Sequence, residues 1–427
     1  MEDLSYGAEG YAVKLLQYAL IRAGEDPGRP DGIFGRRTRK ALLAFQRRQG
    51  LAADGVAGRL TWAAAYPFIA GYALHAIAPG DTLYALSRRF DTGLEALLTA
   101  NPGLDPLDLP VGKVVTVPLD MPVVAEEIDY SALLTGLILK GLAMRYPFIS
   151  VYEIGRSVMG QRIWAASLGS GKKRVGYNGA HHANEWITTP LLLRFLEDYA
   201  QAYASRGQLL GVPARALFEC ATLHMVPLVN PDGVDLVTGA LSESDSYYAQ
   251  AKALSAFYPA IPFPRGWKSN IAGVDLNLQY PANWEQARRV KFDQGFTRPG
   301  PRDFVGFGPL TAPESRAMAH WTKGMDFALT LSYHTQGRVI CWQHDGYAPP
   351  ASGPIGEAFG KSSGYALEET SVGCDNAGYT DWFLQTFRRP GFTVEAGKGQ
   401  NPLPLSDLEA IYKENLPIFL KGIALSP

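Results

Sequence analysis

Four apolar runs in the later part of the chain, residues 175–179, 221–229, 327–333 and 392–394, read as strands, and helical runs at 187–204 and 406–423 lie among them. Strands and helices interleaved in this way pack as a sheet covered by helices, so the expected class is an α/β domain. No obvious break interrupts residues 129–427, and at roughly 300 residues they fit one large domain. The final helix carries its own start signal, Ser406 followed by Glu409, which reads as a capping box.

The balance of charge limits what such a chain can bind. Of 427 residues, 40 are Lys or Arg and 41 are Asp or Glu, a formal net charge of −1. Nucleic-acid binders carry a basic excess, so nucleic acid is not an expected partner. With 47% apolar and 19% charged residues, the composition is globular and excludes a disordered chain or a charge-rich coiled coil. The longest apolar stretch, residues 132–142, is interrupted by Lys140 and is too short to span a bilayer, so no membrane partner is expected. Cys220, Cys341 and Cys374 are far apart and odd in number, which leaves no thiol-ligand zinc spacing and room for at most one disulfide. The opening MEDLSYGAEG has neither the basic region nor the apolar core of a secretion signal.

Two small units precede the large domain. In residues 1–68, Val13, Leu16 and Leu20 form one apolar helix face, and Ala41, Leu42 and Phe45 form another. Asp31-Gly32 and Asp54-Gly55 read as a pair of tight turns at positive-φ positions. This small three-helix domain, through DGIFGRRTRKALLAFQRRQGLAADGVAGRLTW, resembles the peptidoglycan-binding domain type 1. Residues 70–118 read as strand, helix, helix, strand, with Leu83, Leu86 and Phe90 inward on the first helix and residues 114–117 returning as a strand. PGDTLYALSRRF, TANPG, LPVGK and VVTVP are similar to a LysM module, a βααβ unit that binds N-acetylglucosamine-containing glycans. Residues 119–128, with Pro122 and the pair Glu126-Glu127, read as a linker.

The chemical signal follows the strand at 175–179, in the run HHANEWIT. His182 and Glu185 are close enough for an imidazole and a carboxylate to reach one cation from a strand-end turn. A catalytic zinc takes three protein ligands of this kind and one water. The third must come from elsewhere. His334 is the best candidate, because it ends the run 327–334, and ligands collect at the carboxyl ends of strands in open α/β sheets. His75, His224, His320 and His344 have less favourable settings, and His181 suits a supporting role. Glu395 ends another strand-like run, with Gly397 and Gly399 close behind. It is placed to take a proton from the attacking water and pass it to a leaving amine.

Together these pieces resemble the zinc carboxypeptidase family. The resemblance rests on IGRSVMGQRIWAASLG, HHANEWIT, VNPDGV, GVDLN, SYH and FTVEAG, in order and at compatible spacing. It implies a mixed sheet flanked by helices, one Zn²⁺ on His182, Glu185 and His334, Glu395 as general base and then acid, and Asn277 as a substrate contact. Tyr379, in AGYTDW, is the nearest match to the family's mobile substrate-contacting Tyr, though displaced.

The departures bear on specificity. Family members that release a terminal residue continue the GVDLN segment with an Arg that grips the substrate carboxylate, and here Leu278 stands there. A second family Arg follows a Trp, and here Lys268 follows Trp267, with Arg265 nearby. Leu cannot imitate a bidentate Arg. The branch with N-terminal wall-binding modules and an EAGKGQNPLP-like run comprises γ-D-glutamyl-diaminopimelate endopeptidases. The expected activity is therefore hydrolysis of the γ-D-glutamyl–meso-diaminopimelate bond in muropeptides, with peptidoglycan as partner. A D,L- or L,D-carboxypeptidase and a non-catalytic peptidoglycan-binding protein are the competing expectations. The expected location is a bacterial cytoplasm or sporangium, or the cell wall after release.

Overall fold

The computed structural model describes residues 3–368 and 376–427. Cys374 lies outside the described residues. The chain packs as two units, one formed by residues up to 128 with 136–150, the other by 129–135 with 151–427.

In the first unit, helices Tyr11–Arg22, Arg36–Arg48 and Arg59–Ala70 are joined by the two Asp-Gly turns. Each turn hangs on a buried glutamine. Gln17 Nε2 donates to Asp31 Oδ1 (2.8 Å) and Thr38 Oγ1 (3.0 Å), while its Oε1 accepts from the Gly32 N–H (2.9 Å). Gln46 repeats the pattern with Asp54 (2.9 Å), Thr61 (3.2 Å) and Gly55 (3.0 Å). Gly32 and Gly55 adopt φ of 79° and 77°, which glycine adopts without strain. A buried amide is costly unless bonded, and in each glutamine both the NH₂ and the carbonyl oxygen are satisfied. The result is an internal repeat in which the polar centre fixes the turns.

Strands Tyr72–Ala76 and Val114–Pro118 pair antiparallel around helices Leu83–Phe90 and Leu94–Ala100. Leu83, Leu86, Leu97, Val115 and Val117 make this piece's own core. Thr82 caps the first helix through Ala85 N–H (3.0 Å). Asn101 closes the second helix onto the returning strand, exchanging two bonds with the Thr116 backbone.

Residues 119–128, read as a linker, behave otherwise. Val123, Val124 and Ala125 are buried, and Val123 packs against Gly71 and Gly141. Gly141 lies in helix Ala132–Arg145, whose later part belongs to the first unit, so the unit boundary does not coincide with 128/129. An added Cβ at Gly141 would collide with the Ala70 carbonyl oxygen and stand 2.9 Å from Val123 Cγ1. Gly141→Ala is thus expected to cost about 1–3 kcal/mol through overpacking. A lowered Tm would show this, whereas an unchanged Tm would mean that the helix slides to make room.

The second unit is built on a sheet of eight strands among the described residues. Their order is Ala366–Glu368, Val339–Cys341, Gly391–Glu395, Leu329–His334, Lys173–Gly179, Ala221–Val226, Arg162–Leu168, Ser150–Arg156. The four central strands, from Gly391–Glu395 to Ala221–Val226, run parallel, and antiparallel neighbours flank them, so the sheet is mixed. Helices Thr188–Ala204 and Leu408–Ala424 pack against each other and against central strands. Phe195 stacks on Phe419 at 4.6 Å, and Tyr177 donates to the Phe419 carbonyl (2.8 Å). The capping box at Ser406 does not form. A 3-10 turn, Leu405–Asp407, leads into the helix, and Glu409 is drawn instead to Arg194 and Lys413.

Two of the quoted motifs meet away from any chemistry. Asp232 of VNPDGV accepts from Ser157 Oγ (2.7 Å), Met159 N–H (2.8 Å) and Gln161 Nε2 (3.1 Å) of the 154–169 segment. That network locks the hairpin between two strands and is structural.

Candidate active site

His182 precedes and Glu185 ends a short 3-10 turn, Ala183–Glu185, that follows strand Lys173–Gly179. Residues three apart in that geometry share a side, which brings the two side chains together. Thr188 fastens the turn, accepting from Ala180 N–H (2.8 Å) and donating to the Glu185 carbonyl (2.9 Å). His334 arrives from the neighbouring strand Leu329–His334, whose residues are all buried.

The three side chains converge. Glu185 Oε1 lies 2.9 Å from His182 Nδ1, and Glu185 Oε2 lies 2.9 Å from His334 Nδ1. The two Nδ1 atoms are 3.1 Å apart. Asp275 Oδ1 stands 3.1 Å from His182 Nε2, so that nitrogen carries the proton and its Nδ1 presents a lone pair. Two imidazole nitrogens and a carboxylate facing one another in a buried pocket repel unless a cation sits among them. The donor set, two nitrogens and one carboxylate with ligand atoms within 4.8 Å of one another, fits zinc.

Asp275 was not singled out in the sequence, although it lies in GVDLN. Burial would raise its carboxyl, but the His182 imidazole and the Lys268 ammonium outweigh burial and hold it well below the usual carboxylate range. Its Oδ2 accepts from Asp303 N–H (3.2 Å). His181 is not one of the three converging ligands; it meets the Tyr280 hydroxyl (3.0 Å), with its ring stacked on that of His334.

Beside the triad opens a cleft of 520 Å³ lined by His182, Lys268, Asn277, Leu278, Arg302 and Glu395, among others. Glu395 pairs in register with His334 on the adjacent parallel strand, so the two side chains share a face of the sheet. Asn277 accepts from Tyr379 N–H through Oδ1 (3.0 Å), which leaves its amide NH₂ for the cleft. Lys268 Nζ is 3.9 Å from Glu185 Oε1, whereas Arg265 is not among the lining residues. Arg302 and Lys291 both reach the cleft, and both are paired with Asp303. Leu278 is buried with Trp284, Val305 and Ala377.

Tyr379 requires a correction. Its ring is fully buried beside Tyr280 and Trp382, and its hydroxyl lies 3.0 Å from Thr322 Oγ1. It is the first residue of helix Tyr379–Phe387, and successive helical side chains are turned by about 100°. Gly378, Thr380 and Asp381 line the cleft in its place.

Comparison with known proteins agrees with this geometry. The zinc carboxypeptidase family model matches residues 137–417, the peptidoglycan binding domain model residues 9–65 and the LysM domain model residues 75–118. Gamma-D-glutamyl-L-diamino acid endopeptidase 1 of Lysinibacillus sphaericus is 44% identical over 299 residues, 70% of this chain and 72% of the relative. Uncharacterized protein YqgT of Bacillus subtilis (strain 168) is 39% identical over 280 residues, covering 65% and 73% respectively. Among solved structures, carboxypeptidase A from Helicoverpa armigera superposes with a TM-score of 0.52 at 18% identity, over 70% of this chain and 74% of that one. At that identity the superposition speaks for the fold alone.

Proposed function

The chain belongs to the zinc carboxypeptidase family, and we propose that it hydrolyses the γ-D-glutamyl–meso-diaminopimelate bond in the stem peptides of bacterial peptidoglycan. The observation that carries this reading is Leu278. Where family members that release a terminal residue place a carboxylate-gripping Arg, this cleft has an apolar side chain packed on Trp284 and Val305. An endopeptidase has no need of that grip. The 44% identity to an endopeptidase named for γ-D-glutamyl–diamino acid bonds supports the same reading.

His182, Glu185 and His334 would hold the zinc, with Asp275 orienting His182. Zinc bound there supplies a Lewis acid that polarises a carbonyl and eases deprotonation of water. The protein's own groups do the rest. Glu395 takes the proton from the attacking water and delivers it to the leaving amine. Lys268, at the cleft wall with its Nζ 3.9 Å from Glu185 Oε1, offsets negative charge that develops on the carbonyl oxygen. Asn277 offers its NH₂ to a polar group of the substrate.

The N-terminal modules support peptidoglycan as the partner and association with a bacterial cell wall. Holding the enzyme on wall fragments raises the local concentration of stem peptide without altering the chemistry. No helix among the described residues is long and apolar enough to cross a membrane.

The test compares kcat/KM for the tripeptide L-Ala-γ-D-Glu-diaminopimelate with that for the same peptide amidated at the diaminopimelate α-carboxylate. A bidentate Arg clamp would be worth about 1.5–3 kcal/mol per charged hydrogen bond. With Leu278 in its place, amidation is expected to cost less than about tenfold. A loss of about a hundredfold or more, roughly 2.7 kcal/mol of transition-state stabilisation, would restore carboxylate recognition and overturn the reading.

A further inference from the structure

Among the described residues, five acidic side chains line the cleft, and four are committed. Asp275 holds His182, Asp303 is shared by Lys291 and Arg302, and Glu395 stands beside His334. Asp381 pairs with His344 (3.3 Å) and caps the Gly378 N–H (3.0 Å). The fifth is Glu368, half-buried at the end of the edge strand Ala366–Glu368, and among the described residues no cation pairs with it.

Register places Glu368 on the working face. Cys341 pairs with Glu368 on one side and Thr393 on the other, and Thr393 pairs with Ser332. Residues in register share a face, as do residues two apart along a strand. Glu368, Cys341 and Thr393 therefore form a row across the cleft floor, on the same face as Glu395 and His334. Glu368 stands three strands from the strand of His334, about 14 Å at ~4.8 Å per strand.

That span suits one kind of group. The second amine of a diamino acid lies about 6 Å from its Cα when the side chain is extended, five bonds that each advance ~1.25 Å along the zigzag. With the scissile bond near Glu395, such a side chain would run over Thr393 and Cys341, and a Glu side chain reaching inward closes the remaining gap. Cys341 is an apolar neighbour for methylenes, and Glu368 is a counter-charge for the ammonium at their end.

We propose that Glu368 receives the distal ammonium of the diamino acid residue on the leaving side of the scissile bond, and so selects diamino acids there. This rests on the γ-D-glutamyl endopeptidase reading.

The experiment uses the zinc-loaded full chain and two peptides, L-Ala-γ-D-Glu-L-Lys and L-Ala-γ-D-Glu-L-norleucine, which differ in one ammonium. A desolvated charge-assisted pair predicts that kcat/KM favours lysine by about 10- to 100-fold. In Glu368→Gln that ratio should fall to within about threefold of unity, because the amide keeps the shape and loses the charge. A wild-type ratio near one, or a preference that survives in the variant, overturns the proposal while leaving the activity in place. Calorimetric binding of free L-lysine against free L-norleucine separates the two readings. If neither of these peptides nor L-Ala-γ-D-Glu-meso-diaminopimelate is cut, the endopeptidase reading fails. Glu368 then stands if lysine binds more tightly and the variant loses that advantage, and falls if no advantage exists or it persists.

Discussion

Replacing Glu395 with Gln should leave about one zinc per chain and lower kcat by about 10²–10⁴-fold, the usual cost of losing a general base. The amide keeps the volume and the backbone ladder, in which Glu395 is in register with His334 and its carbonyl accepts from Arg338 N–H (2.7 Å). What disappears is the proton acceptor. Zinc analysis alongside turnover distinguishes lost chemistry from lost metal. Activity within about tenfold of wild type would assign the base to another residue.

His334→Ala should lose both zinc and activity. His334 supplies one of the two nitrogens that converge on Glu185, and it is fixed from the centre of the sheet, where Ala396 N–H donates to its carbonyl (2.8 Å). Truncation leaves one imidazole and one carboxylate, a pair that holds zinc poorly. The backbone bond survives because it does not depend on the side chain, so the fold is expected to persist with an empty site. Zinc content that stays near one per chain, with far-UV circular dichroism unchanged, would mean that another group completes the ligand set.

How much of this was legible in the sequence follows from what is local. Each expected metal ligand sits at or just past the end of an apolar run, and a buried strand's end fixes where its last side chain goes. His334 and Glu395 were readable for that reason. Asp275 and Glu368 were not, because their roles depend on which strands or loops become neighbours, and register across a sheet leaves no mark on adjacent residues. Strand Ser150–Arg156 was missed because half-covered and exposed positions mix along it and no apolar run marks it, whereas the short apolar stretch 163–166 of Arg162–Leu168 was quoted only as part of a motif. Val339–Cys341 and Ala366–Glu368 are too short to show a period. Tyr379 was misplaced for the opposite reason. Its neighbours in sequence do line the cleft, but the helix that begins there turns the ring into the core. Gln17 and Gln46 show a further limit, since a polar residue on a helix carries no sign that it will anchor a turn.

The most direct measurement is product analysis on one defined substrate, the tetrapeptide L-Ala-γ-D-Glu-meso-diaminopimelate-D-Ala, incubated with the zinc-loaded full chain and followed by mass spectrometry. Cleavage at the γ-D-glutamyl bond yields L-Ala-D-Glu and the dipeptide diaminopimelate-D-Ala. These are the products predicted, since Leu278 stands where a carboxylate-gripping Arg would stop the substrate at a chain end. Release of free D-Ala with the tripeptide left intact would instead identify a carboxypeptidase and contradict the account.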